Sequence, residues 1–123
     1  MFDFERLDVY TVVKDLIIKL NNNLELTINI DETIKEQLKS TTVNVIILLA
    51  EGMGRNTNSD KRHFLSQARG NVFKAVALLD VIRAADAIED NSYHELYEEY
   101  EKSSKMLLGM IKSYQRKSFN KED

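Results

Sequence analysis

The residue types that most often carry chemistry are thinly spread along this 123-residue chain. It has two histidines, His63 and His94, and no cysteine, which removes thiolate nucleophiles and disulfides from consideration. Asp60 and His63 stand three apart, a spacing that would put two metal ligands on one helical face. Di-iron bundles need Glu-x-x-His on two helices, however, and neither histidine belongs to such a pair. Asp60 is therefore read as a first-turn acid favoured by the helix dipole. No serine has a histidine base within a recognisable nucleophile motif. Gly52-x-Gly54 follows no strand and lacks both a third glycine and a Gly-Lys-Ser/Thr ending, so it is no phosphate loop. Gly52 reads instead as a left-handed helix stop, and Glu51, four residues before Arg55, as half of an ion pair rather than a general acid. The expectation is a protein that is not an enzyme, with no metal, cofactor or small-molecule substrate.

Charge is more informative than catalytic motifs. Gly52 to Lys74 holds Arg55, Lys61, Arg62, Arg69 and Lys74 against the single acid Asp60, and Lys102 to Lys121 holds six basic residues and no acid. Ala84 to Glu101 is the reverse, with seven acids and no lysine or arginine. In an up-down bundle the basic segments converge on one end, offset in part by Asp3, Glu5 and Asp8. Arg55, Lys61, Arg62, Arg116 and Lys117 are thereby marked as candidate contacts to the phosphates of RNA or DNA, indifferent to sequence and sensitive to salt. The plainer account is that basic residues near a helix C-terminus, Arg116 and Lys117 above all, complement its dipole. A formal net charge of −3 argues against a surface given over wholly to nucleic acid.

The elements that must position these residues are helices. There is no proline and there are only four glycines, so breakers are few. Val9, Val13, Leu16 and Leu20 form the seam of a first helix, ended by Asn21-Asn22-Asn23. Leu24, Leu26, Ile28 and Ile30 alternate with polar residues and, lacking a second strand, read as an extended connector. Asp31 is the N-cap of a second helix with Ile34, Leu38, Val45 and Leu48 in its seam. A third carries Leu65, Ala68, Val72, Ala75, Leu79 and Ile82, with Gly70 marking close approach of another helix. A fourth carries Tyr93, Tyr97, Tyr100, Ser104, Leu107, Ile111 and Tyr114, whose tyrosines read as core with hydroxyls at the rim. The spacing predicts helices over about 3–20, 31–52, 59–88 and 92–117 in one domain of about 1–117, followed by a polar tail over 118–123.

The second helix organises the rest. From Val43 to Ala50 its only polar side chain is Asn44, and apolar residues point in nearly every direction. One bundle has too few neighbours to cover Val43, Val45, Ile46, Ile47, Leu48 and Leu49, so Val43, Val45, Ile46, Ile47 and Leu49 are expected to meet another subunit. No apolar run reaches membrane length, and Asp3 and Glu5 stand where a signal peptide would be basic, so the expected location is the cytoplasm.

Three blocks carry a resemblance: Phe4-Glu5-x-Leu7-x-Val9-Tyr10; Gln37-Leu38-Lys39 leading into Ala50-Glu51-Gly52-x-Gly54-Arg55; and Phe64-Leu65-x-x-Ala68-Arg69-Gly70. Together they resemble the bacterial four-helix-bundle proteins encoded in intervening sequences of 23S ribosomal RNA genes. The resemblance implies an all-α, up-down antiparallel four-helix bundle assembled into a ring-shaped homopentamer, with no established enzymatic activity. A related group serves as accessory proteins of reverse transcriptases in diversity-generating retroelements, binding nucleic acid and the polymerase through a basic surface. The implied role is an oligomeric scaffold for nucleic acid or a nucleoprotein; the alternatives are a protein–protein adaptor without nucleic-acid contact and a reverse-transcriptase accessory protein. Three positions depart from the family pattern: Leu48 stands where asparagine is usual, Asn71 for serine and Lys74 for glutamate, so part of a polar cluster expected between helices two and three is missing.

Overall fold

The computed structural model describes residues 1–24 and 29–120, with side chains described through Ser118. A short 3-10 turn, Asp3–Arg6, leads into α1 (Asp8–Leu24), α2 (Glu32–Met53), α3 (Asn58–Ala84) and α4 (Asp90–Asn120). No strand occurs among the described residues. Two helix starts are set by local chemistry. The Asp31 carboxylate accepts from the Thr33 amide at 2.8 Å to open α2, and the Thr57 hydroxyl accepts from the Asp60 amide at 3.0 Å to open α3.

Five boundaries differ from those the spacing predicts, each for an identifiable reason. The first helix starts at Asp8 and not near Asp3, because Leu7 is extended, at φ −79° and ψ 135°, between the 3-10 turn and α1. The asparagine run does not end α1: the Asn23 carboxamide donates back to the Lys19 carbonyl at 3.0 Å, and Leu24 extends the seam by one more buried residue. Leu24 is thus helical, while Leu26 and Ile28 of the expected connector lie outside the described residues. The third helix stops at Ala84, because Asp86 adopts φ 54° and closes a Schellman turn. There the Asp86 amide donates to Arg83 at 2.9 Å and the Ala87 amide to Ile82 at 3.1 Å. At the other end of α4, Ser118 to Asn120 continue the helix in place of the expected tail; residues 121–123 lie outside the described residues. Finally, Gly52 is not a left-handed stop. It lies inside α2, no glycine has positive φ among the described residues, and the cap falls at Gly54 in right-handed geometry, φ −83°.

What Gly52 does is admit α3. A Cβ built on it would stand 2.7 Å from the Phe64 Cβ, so the two helices pass too closely for any side chain. Gly70, expected to mark such an approach, has nothing within 4 Å. The contacts fix the helix directions. Gly52 meets Phe64 across the short α2–α3 turn, Arg69 meets Ser104 and Arg62 meets Tyr114 across α3 and α4, and Lys19 meets Glu95 and Glu99 across α1 and α4. Each helix packs on its two neighbours in an up-down bundle, with α2 and α4 diagonal to one another and parallel.

Along the core run Val9, Val13, Leu16, Leu20, Leu24, Leu38, Val45, Leu49 and the full expected seam of α3, joined by Leu96, Tyr100 and Leu107 of α4. The tyrosine stripe divides. Tyr93 and Tyr100 are buried, Tyr97 is 37% exposed, and the Tyr100 hydroxyl lies deep in the core rather than at the rim. It lies 2.7 Å from the hydroxyl of Thr42, which itself donates to the Leu38 carbonyl at 2.8 Å. With the Thr42 proton so committed, the Tyr100 hydroxyl donates and Thr42 accepts. Burial pushes the Tyr100 hydroxyl above the ordinary tyrosine range. A raised acid favours its neutral form in the fold. Its contribution is therefore complete below the ordinary value of 10.0 and is lost as the pH rises towards the raised one.

This pair yields a test. Thr42→Val leaves a buried phenol donor without an acceptor and should cost about 1–3 kcal/mol, whereas Tyr100→Phe leaves Thr42 still bonded to Leu38 and should cost about 0.5–1.5 kcal/mol. The double variant should be more stable than the sum of the single costs implies. Denaturant unfolding of all four proteins measures this, and simple additivity would contradict the bond.

Candidate nucleic-acid interface

The basic end is built where the turn between α2 and α3 meets the C-terminal part of α4. Lys61 lies in the first turns of α3, and its ammonium reaches back to the Met53 carbonyl at 3.1 Å and the Arg55 carbonyl at 2.5 Å. It thus answers the carbonyls that the end of α2 leaves without helical partners. Arg62, beside it, crosses to α4, where its guanidinium donates to the Tyr114 carbonyl at 3.2 Å and to the Ser118 hydroxyl. Arg55 is held at 3.0 Å by Glu51, the expected ion pair, and stacks 4.5 Å over Phe64. Lys117 lies 4.5 Å over the Tyr114 ring, and Arg116 is exposed next to it.

Arg55, Lys61, Arg62, Arg116 and Lys117 are therefore brought to one end of the bundle, though they are not equivalent there. Lys61 and Arg62 are half-buried and use donors on backbone carbonyls, so they hold the end together as well as charging it. Dipole complementarity is the plainer role expected of Arg116 and Lys117 on α4 itself. Among the described residues Arg62, from the neighbouring helix, reaches a late carbonyl of α4, that of Tyr114.

Two shallow clefts flank this end. One, of about 350 Å³, is lined by Ser59, Arg62, His63 and Ser66 of α3 with Ile111 and Gln115 of α4, a surface rich in hydrogen-bond donors. Sequence reasoning missed it, although Ser59, Arg62, His63 and Ser66 recur at three-and-four spacing along one helical face. The other, of about 480 Å³, lies between the N-terminal turn and the end of α2, with Phe2, Asp3 and Phe4 facing Ala50, Glu51, Gly54 and Arg55. Asp3 and Glu51 temper the charge there. At the far end of the bundle Lys19 lies 3.5 Å from Glu95 and 3.7 Å from Glu99, amid the acids of α4.

The remaining motif residues are structural in geometry. Ala68 is fully buried, and Arg69 donates to the Ser104 carbonyl at 3.3 Å while stacking 4.7 Å over Phe73. Gln37 is exposed. Leu48, where the family pattern has asparagine, packs on the hydrophobic core, while Asn71 bonds to the carbonyl of Gln67 and Lys74 is exposed. The expected interface set needs correction: Val45 and Leu49 are 1% and 0% exposed in the chain's own core and cannot meet a partner, and Ile46 is half-buried. The exposed surplus is Val43 and Ile47, at 37% and 53%.

Among the described residues no group of three or more His, Cys, Asp or Glu is placed to hold a metal ion, and no helix is long and apolar enough to cross a membrane. Fold and surface together define an all-α four-helix bundle with opposed basic and acidic ends. Its sequence matches the profile of the 23S rRNA-intervening sequence proteins over residues 5–109, a span that holds both the Ala50–Arg55 and the Ala68–Gly70 blocks. The chain belongs to that family. Comparison with curated proteins yields no match.

Proposed function

We propose that the protein is a cytoplasmic, non-enzymatic scaffold, a homopentameric ring that holds nucleic acid or a nucleoprotein against its basic end. The observation that carries this reading is the meeting of Arg55, Lys61 and Arg62 with Arg116 and Lys117 at one end, while the acids of α4 gather at the other. A symmetric ring repeats that end in every subunit, so individually weak phosphate contacts add through avidity. Specific base recognition is not called for. The donors available are flexible cations and hydroxyls suited to phosphate oxygens.

Arg55, Arg116 and Lys117 are the residues to reverse, because changing Lys61 or Arg62 would also release the carbonyls they hold. The triple change to glutamate should weaken RNA and DNA binding at least about tenfold at low salt, and should flatten the salt dependence by roughly 0.7 to 0.9 for each phosphate that is no longer neutralised. Unchanged affinity in a protein of unchanged mass would refute the site. Absence of salt-dependent retention of the parent protein on either nucleic acid would favour an adaptor that contacts proteins alone.

A further inference from the structure

Among the described residues, apart from the exposed Met1, Phe2, Ile18 and Val81, two apolar surfaces stand open, and they differ in shape. One is a ridge on α2, where Val43 and Ile47 stand outward and Glu36 and Glu51, both exposed, flank them along the same helix. The other is a groove of about 380 Å³ between α3 and α4. Phe73, Val76 and Tyr97 line it, with Phe73 54% exposed, and Arg69 and Lys105 border it with Glu101. The groove takes nothing from α2.

We infer that the Val43–Ile47 ridge of one copy seats in the Phe73–Val76–Tyr97 groove of the next. This pairing rests on the homo-oligomer reading above and names the faces that meet. Ridge against ridge would leave the groove of each copy empty, and groove against groove would set two concave faces together with neither filled. Ridge in groove matches convex to concave and carboxylate to cation. The register follows from helical spacing. Ile47 and Glu51 are one turn apart on α2, as are Phe73 and Arg69 on α3, so Ile47 against Phe73 brings Glu51 beside Arg69 and Lys105. The ridge-bearing α2 then runs antiparallel to the α3 that receives it. Each copy offers one ridge and one groove, so the contact is head-to-tail, and it ends only when the assembly closes on itself.

The chain has no cysteine, which makes the pairing directly testable. Ile47→Cys and Phe73→Cys are prepared as single variants, co-expressed and oxidised under mild conditions. The co-expressed pair should give a disulfide-linked dimer, whereas neither single variant alone should cross-link. The double variant should give a ladder of linked chains up to the size of the whole assembly. Self-cross-linking of either single variant would overturn the pairing in favour of a two-fold contact. A co-expressed pair that stays uncross-linked while light scattering shows an intact oligomer would overturn the pairing alone. A monomeric mass for the unmodified protein at micromolar concentration would overturn the oligomer and the pairing together.

Discussion

Leu79→Ala and Leu107→Ala are each expected to lower stability by about 2–5 kcal/mol, against a total of about 5–15 kcal/mol for a domain of this size. Both side chains are wholly buried, Leu79 on α3 and Leu107 on α4, where these helices pack along their length. Truncation removes apolar area from the core and leaves a cavity that neighbouring helices fill only in part. Lys102→Ala provides the contrast. Lys102 is exposed on the same helix as Leu107, and its replacement should change stability by no more than about 0.5 kcal/mol. Thermal or denaturant midpoints decide the matter. A loss for the lysine variant equal to either leucine variant would mean that the seam of α4 had been placed on the wrong face.

Gly52→Ala is the second change expected to have a large effect, and its sign is opposite to that of the same change at Gly70. Alanine in place of glycine in a helix interior gains up to about 1 kcal/mol of helix propensity. At Gly70 nothing lies within 4 Å, so that gain should be realised and the variant should be more stable than the parent. At Gly52 the added methyl would stand 2.7 Å from the Phe64 Cβ, an atom fixed to the backbone of α3 that no rotamer change can move. The helices must separate, and overpacking of this kind costs about 1–3 kcal/mol, enough to exceed the propensity gain. Phe64→Ala should not rescue the variant, because the offending atom is the Cβ that alanine retains. Equal stability of the Gly52→Ala and Gly70→Ala proteins would show that α2 and α3 are not pressed together here.

Local features were legible in the residues because their causes are local. The α3 seam of Leu65, Ala68, Val72, Ala75, Leu79 and Ile82 follows from helical period alone, and every member is buried. Asp31 as N-cap and Glu51 with Arg55 as an ion pair need only neighbours two and four residues away. The division into basic and acidic ends was likewise written in charge order, once an up-down bundle was assumed.

Only tertiary structure decided the rest, and in each case the deciding partner is distant in sequence or invisible in residue type. Gly52 could close a helix or admit another, and Phe64 on α3 settles which. Asp86 ends α3 in a conformation more usual for glycine. Thr42 and Tyr100 are 58 residues apart, and Arg62 and Tyr114 are 52 apart, so no spacing rule joins them. The apolar stretch from Val43 to Leu49 by itself called for more than one neighbour around α2, and α1 and α3 both pack on it. Which residues its own chain covers, Val45 and Leu49, and which it leaves outward, Val43 and Ile47, depended on where α1 and α3 lie, because a helix apolar on all sides carries no mark of the direction from which its neighbours come.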